Sequence, residues 1–573
     1  MAQQRGSSRS RERAREKVAK AQAREASFRR LTDAAQRLPQ SFGDLKTATE
    51  RRPAILGAAL MDFSRRRDQA ARDHPALLPP LAWSTLALFP SIDLLRDRLG
   101  GSWDPLKATL SWSDQLFHAT DDAVLAMWQM RAGHTVAAAL IARSLLERWT
   151  LNVAHHHSIE RTEGEDEEAF TSRVWSVYER QGAPTDAGAW WSWLSELLHG
   201  RVATTAFGEE YARPLDDGEA SEALHYPICR VLELALRQVR GGVTTLAVEE
   251  GLARFGPVLQ VPATEIPSID EPPKVVVDGL HLLDYLECST TRAQGLVEIG
   301  SIYRRRIEDA GDRLSEGFNP VFTVESLLER RGRAVARARN AFKEERKLVG
   351  DDEFDPGQLL ARLFRYACIG ELAYLLADEV APAERTALLA AADALRGTTD
   401  LWLQDSDHAI ACIRVLLEQT ARLRAHRLRP ARAVRQEGVR GGSASRWVEL
   451  AGWKRLRPLV RATSEFAHLT FRTRRNGARE LLRLMQLSEA LLETSRGSAL
   501  TEVAYMLAFE LHARLLPISP VMAAAFTESV TLTDEQSHAR RLERFLDLNL
   551  QYRGSDLGTP DFYASPTEAT PDV

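Results

Sequence analysis

The chain has 573 residues, 44% hydrophobic and 27% charged, with a formal net charge of −4. This composition fits a folded protein with more than one core, because single cores stop growing near ~250–300 residues; the near-neutral balance excludes a global affinity for polyanions. No run of about 18 apolar residues marks a membrane span, and four widely spaced cysteines without a C-x-x-C pair point away from a disulfide framework or zinc ribbon and toward a reducing cytoplasm.

Residues 1–30 are basic and rich in Ala, Arg and Glu, and read as an exposed helix or tail. They lack the apolar core of a secretory signal, and Glu12, Glu16 and Glu25 argue against a transit peptide. Residues 31–120 form an N-terminal helical region. Residues 121–250 carry a long apolar stripe at 123–153, proline-free and interrupted only by Gly133. Residues 251–279 are the expected linker, with five prolines between 256 and 279 and one isolated strand signal, Lys274–Asp278. A central helical region follows at 280–390, with a break at Asp351–Pro356. Residues 391–516 show helical periodicity at 409–426, 481–494 and 502–516. Residues 517–573 are expected to hold a last helix and a polar, Pro/Thr-rich disordered tail.

One short pattern occurs twice. Arg143-Ser-Leu-Leu-Glu147 is followed by Ser195-Glu196-Leu-Leu-His199; Arg414-Val-Leu-Leu-Glu418 is followed by Ser464-Glu465-Phe-Ala-His468. The first elements are 271 residues apart and the second 269; His155 and His426 also fall at 271. Two linked motifs at nearly one offset imply an internal duplication. The expected fold is therefore all-α: two pseudo-symmetric helical-bundle halves, 121–250 and 391–516, joined by the Pro-rich linker.

Three chemistries fit the repeated residues. In each copy Arg and Glu share a helix face at i,i+4, and Glu and His share one at i,i+3. They can form a polar network that locks two helices, in which losing a buried partner costs ~1–3 kcal/mol. Alternatively, Glu147, Glu196, His199, Glu418, Glu465 and His468 make the ligand set of a carboxylate-bridged two-metal bundle holding Fe or Mn. Against that set stand the 49- and 47-residue gaps from each Glu to its Glu-x-x-His and the Arg one turn before each Glu. In a third arrangement, Arg461 and His468 lie two helical turns apart, so that a His can exchange protons while an Arg holds a phosphate.

The two copies differ in charge. Between 422 and 483 sixteen Arg and one Lys face four Glu, whereas between 158 and 220 five Arg face fourteen acids. The Arg-rich stretch, including Arg472, Arg474 and Arg475 and interleaved with Trp447, Trp453, Phe466 and Phe471, suits phosphate contact and base stacking. Its arginines could equally pair with the acidic face of copy one. His155–His157 reads as favourable charge at a helix C-terminus, and Trp190, Trp191 and Trp193 read as packing. No P-loop, nucleophile elbow or H-E-x-x-H pattern occurs.

The R-x-L-L-E helix followed by a helix ending in Ser-x-x-x-His resembles uncharacterised all-helical bacterial domains of unknown function, over roughly 121–240 and 391–510. That resemblance implies a helical fold and a bacterial cytosolic setting. Arg461 and His468 resemble the R-x(4–6)-H motif of HEPN-type helical domains, many of them metal-independent ribonucleases working as dimers; here the first copy has Ser192 in place of Arg461, and Ala462 follows the Arg. The leading expectation is a cytoplasmic binding or interaction protein without a cofactor, whose basic second copy meets nucleic acid or an acidic protein, with a homodimer allowed. Its binding residues would be Arg143, Glu147, Ser195, Glu196, His199, Arg414, Glu418, Ser464, Glu465, His468, Arg472, Arg474 and Arg475. The alternatives are the HEPN-like ribonuclease and the Fe or Mn protein.

Overall fold

The computed structural model describes residues 39–72, most of 119–199, a short helical stretch at 227–235, 357–467 apart from 405 and 439–443, and 489–550. The expected linker, the strand signal at 274–278, the tail at 1–30 and most of the central region lie outside these residues. Every regular element among the described residues is a helix, as the apolar spacing predicts.

Two helices open the fold, α1 (Phe42–Arg51) and α2 (Ile55–Arg72). Ser41 caps α1 by accepting from the Asp44 N–H. The 123–153 stripe is divided: helical positions between 119 and 130 end at a turn, and α3 runs Thr135–His156. Gly133 makes that turn with φ +74°, a left-handed conformation that glycine adopts at no steric cost. Next come α4 (Glu167–Glu179) and α5 (Ala187–Leu198).

The second series begins with α6 (Gly357–Leu376) and α7 (Pro382–Leu403), the latter with proline in its first turn. Then follow α8 (His408–Leu428), α9 (Pro430–Glu437), α10 (Ala444–Leu450) and α11 (Arg457–Ala467). The last helices are α12 (Glu489–Ile518), α13 (Pro520–Val530) and α14 (Glu535–Leu550). Among the described residues no helix is long and apolar enough to cross a membrane.

The axis of this arrangement is α8. Helices α7, α10, α11, α12 and α3 all pack on it, and every residue from Ala409 to Ala425 is buried. Such enclosure buries whatever side chains the helix carries, polar ones included, so each must find its partner inside. Around it one continuous core of Leu, Ala, Ile and Trp side chains runs from Phe42 to Leu546. The thiols of Cys229, Cys368 and Cys412 are buried in that core; burial pushes all three pKa values up, that of Cys229 to about 12.

Close helix approach has a visible requirement at Gly397 on α7. A Cβ there would stand 2.6 Å from the Ala137 Cβ on α3. Gly397→Val is expected to force α3 and α7 apart and to lower stability by about 1–3 kcal/mol. A thermal melt within error of the parent would show that the crossing is looser than the structure requires.

Candidate functional site

The two R-x-L-L-E segments lie on α3 and α8, which touch each other. Helix α5, which carries Ser195 and Glu196 and ends at His199, packs on α3. The leucines of each motif are fully buried, which places the intervening Arg and Glu in the same interior.

On α3, Arg143 Nε donates to Glu147 Oε1 at 3.0 Å, forming the expected i,i+4 pair. Trp191 Nε1 donates to the same oxygen at 3.2 Å, and the Arg143 guanidinium lies 4.8 Å from the Trp191 ring centroid. Trp191 therefore combines packing with a hydrogen bond that the sequence reading did not give it.

On α8 the same two residues behave differently. Glu418 is 2.9 Å from Nδ1 of His199, which reaches it from the end of α5. Arg414, 8% exposed, makes no hydrogen bond or ion pair among the described residues. Burial pushes its pKa down; Glu418 and Glu147 pull it up, Arg143 pushes it further down, and the net value is lowered.

Further polar contacts brace the same junction. Asp122, in the helical segment before α3, meets His408 Nε2 at the start of α8 at 2.9 Å and Arg148 Nη1 at 3.0 Å. Asp393, on the helix before α8, accepts from the Val136 N–H in the first turn of α3. Gln129 Nε2 donates to Asp400 Oδ2 at 2.6 Å and faces His134 Nδ1 through its own oxygen at 2.9 Å. Asp122 and Asp393 are 271 residues apart, and so are Gln129 and Asp400. Extending the motif offset one helix upstream is the signal that would have found all four.

The remaining sequence candidates spread out. Ser195 is buried and Glu196 exposed on α5. Ser464 bonds back to the Val460 carbonyl at 2.6 Å, and Arg461 is exposed on α11. The Glu465 side chain, His468, Arg472, Arg474 and Arg475 lie outside the described side chains. Glu147 is engaged by Arg143 and Trp191, and Glu418 by His199; among the described residues no three His, Cys, Asp or Glu side chains gather as a metal site. His155 is exposed, whereas His426 meets Glu437 at 2.9 Å.

Several described arginines of the Arg-rich stretch pair with acids of the same chain. Arg422 pairs with Glu437, Arg424 and Arg427 with Glu510, Arg455 with Glu543, and Arg446 and Arg457 with Glu449. Among the described residues these arginines pair with acids between 437 and 543 and none pairs with the acidic face of copy one. Two described acids of that face pair locally: Arg161 takes Glu167, and the hydrogen bond from Arg173 holds Glu165 down at about 2. Arg429, Arg435 and Arg461 have no ion pair among the described residues, and Arg435 and Arg461 are exposed. No family model, curated protein or solved structure matches the chain.

Proposed function

We propose that the chain is an internally duplicated all-helical binding protein of the bacterial cytoplasm whose basic second copy contacts nucleic acid. Reciprocity of the braces supports the duplication. Asp122 reaches from the first series to the start of α8, and its counterpart at offset 271, Asp393, reaches from the second series to the start of α3. A pair at that same offset, Gln129 and Asp400, is in direct contact, as residues beside a pseudo-twofold axis would be.

The observation that carries the binding reading is α9. Its half-buried cap residue Arg429 and its exposed Arg435 make a short basic stripe with no ion pair among the described residues, beside Val434, which is 63% exposed. Such a stripe follows a phosphate backbone, whereas Arg422 and Arg424 are committed inside. In fluorescence anisotropy with a single-stranded RNA, Arg429→Ala/Arg435→Ala is expected to weaken binding several-fold. The salt slope should flatten by about 1.4, the loss of two contacts at ~0.7 each. Equal affinity and slope in the double variant would remove α9 from the interface.

A ribonuclease reading has one observation in its favour. Arg461 is exposed on α11 and open to a phosphate, with His468 seven residues on. RNA cleavage in the presence of a chelator, lost in both Arg461→Ala and His468→Ala, would establish it; its absence from the parent protein would eliminate it.

A further inference from the structure

We infer that the α3–α8 junction is a binding site for a small oxyanion, a phosphate or carboxylate group held by the Arg414 guanidinium. The inference rests on the junction geometry and is independent of the α9 surface.

Its basis is the divergence of two identical motifs. Arg143 and Arg414 each stand one turn before a Glu in an Arg-x-Leu-Leu-Glu segment. If the junction only locked helices, both copies would close the same i,i+4 pair. Arg143 does, at 3.0 Å. Glu418 instead meets His199 at 2.9 Å, and Arg414 is left 92% buried with an unsatisfied Nε. Leaving Nε buried without an acceptor is costly, so this side chain is poised for an incoming acceptor.

The neighbours suit that use. Both carboxylates that would repel an anion are engaged with other donors: Glu147 with Arg143 and Trp191, Glu418 with His199. Arg143 adds a second positive charge close enough to depress the Arg414 pKa, and an anion between them would relieve that repulsion. The junction meets solvent at the end of α5, where the His199 side chain is 19% exposed. Arg is the side chain that matches a planar or tetrahedral oxyanion with two parallel donors.

The test is a thermal melt of the full chain titrated with inorganic phosphate and, separately, with acetate, each against sodium chloride at equal ionic strength. A saturable rise of about 1–3 °C over chloride is expected for one of the two. A phosphate response names a phosphoryl group as the natural ligand chemistry, and an acetate response a carboxyl group. Arg414→Met should abolish the rise and Arg414→Lys should weaken apparent affinity at least tenfold. The lysine variant decides the matter if the methionine variant does not fold. No response to either anion, or an undiminished response in the Arg414 variants, overturns the site. RNA binding without an anion response would defeat this inference alone; an anion response without RNA binding would defeat only the nucleic-acid reading.

Discussion

Glu510→Ala is expected to destabilise the protein by about 3–5 kcal/mol, the cost of stripping the acid from a buried ion-pair network. Glu510, fully buried on α12, receives Arg427 at 2.7 and 2.8 Å, Arg424 at 3.3 Å and Arg514 at 3.1 Å. Arg427 is partly exposed and can turn to water. Arg424 and Arg514 are enclosed, and their other hydrogen bonds run to the Ala451 and Leu423 carbonyls, the Glu510 carbonyl and Glu384. Glu510→Gln keeps the shape and isolates the charge, so the difference between the two variants measures the electrostatic share. Urea denaturation would show a lower midpoint at unchanged slope. The pH dependence has a fixed sign. Burial raises the Glu510 pKa, but the Arg427 hydrogen bonds and the charges of Arg427, Arg514 and Arg424 outweigh it, and the folded value lies below the ordinary carboxylate value. Its contribution is therefore complete above that ordinary value and is lost as pH falls through the folded pKa. A Glu510→Gln chain as stable as the parent at neutral pH would show that the network contributes nothing net.

The second large effect belongs to Glu418. Glu418→Ala removes the partner of His199 and the strongest favourable charge on Arg414, leaving only Glu147 to offset the repulsion from Arg143. A loss of about 3–5 kcal/mol is expected. The double variant Glu418→Ala/Arg414→Met should recover much of it, because the uncompensated charge leaves with the arginine. A double-mutant cycle on urea midpoints reads the coupling. Additive losses would place the two side chains in separate environments and contradict the junction described above.

The helical class was readable because apolar residues recur at three and four along 409–426 and 502–516, and those segments became α8 and α12. The repeated motif likewise led to the junction, since Arg143, Glu147, His199, Arg414 and Glu418 all lie there. What stayed hidden was the choice of partner. Spacing along one helix names Glu418 as the mate of Arg414, and only packing shows that His199, 219 residues earlier, takes it. The charge count failed for a related reason. Arg422 and Arg424 look like surface residues in an Arg-rich run, but they sit on a helix enclosed by its neighbours. Their acids, Glu437 and Glu510, were visible as isolated carboxylates, the latter within an apolar helix. A lone Glu in such a stripe marks a buried cation somewhere else in the chain, though not which one.

The order of packing also carries a cost in time. Helices α1 and α2 rest on α13, and a Cβ at Gly57 in α2 would lie 3.2 Å from the Ser529 hydroxyl. Helix α2 also packs on α6, so the seat of α1 and α2, whose buried faces include Leu45, Leu56, Leu60 and Phe63, is completed only when residues near 520–530 leave the ribosome. At roughly 5–20 residues per second that wait lasts about half a minute to a minute and a half. Nascent chains of this protein thus display an incompletely covered apolar surface until late in synthesis, and an early-binding chaperone has a ready target in α1 and α2.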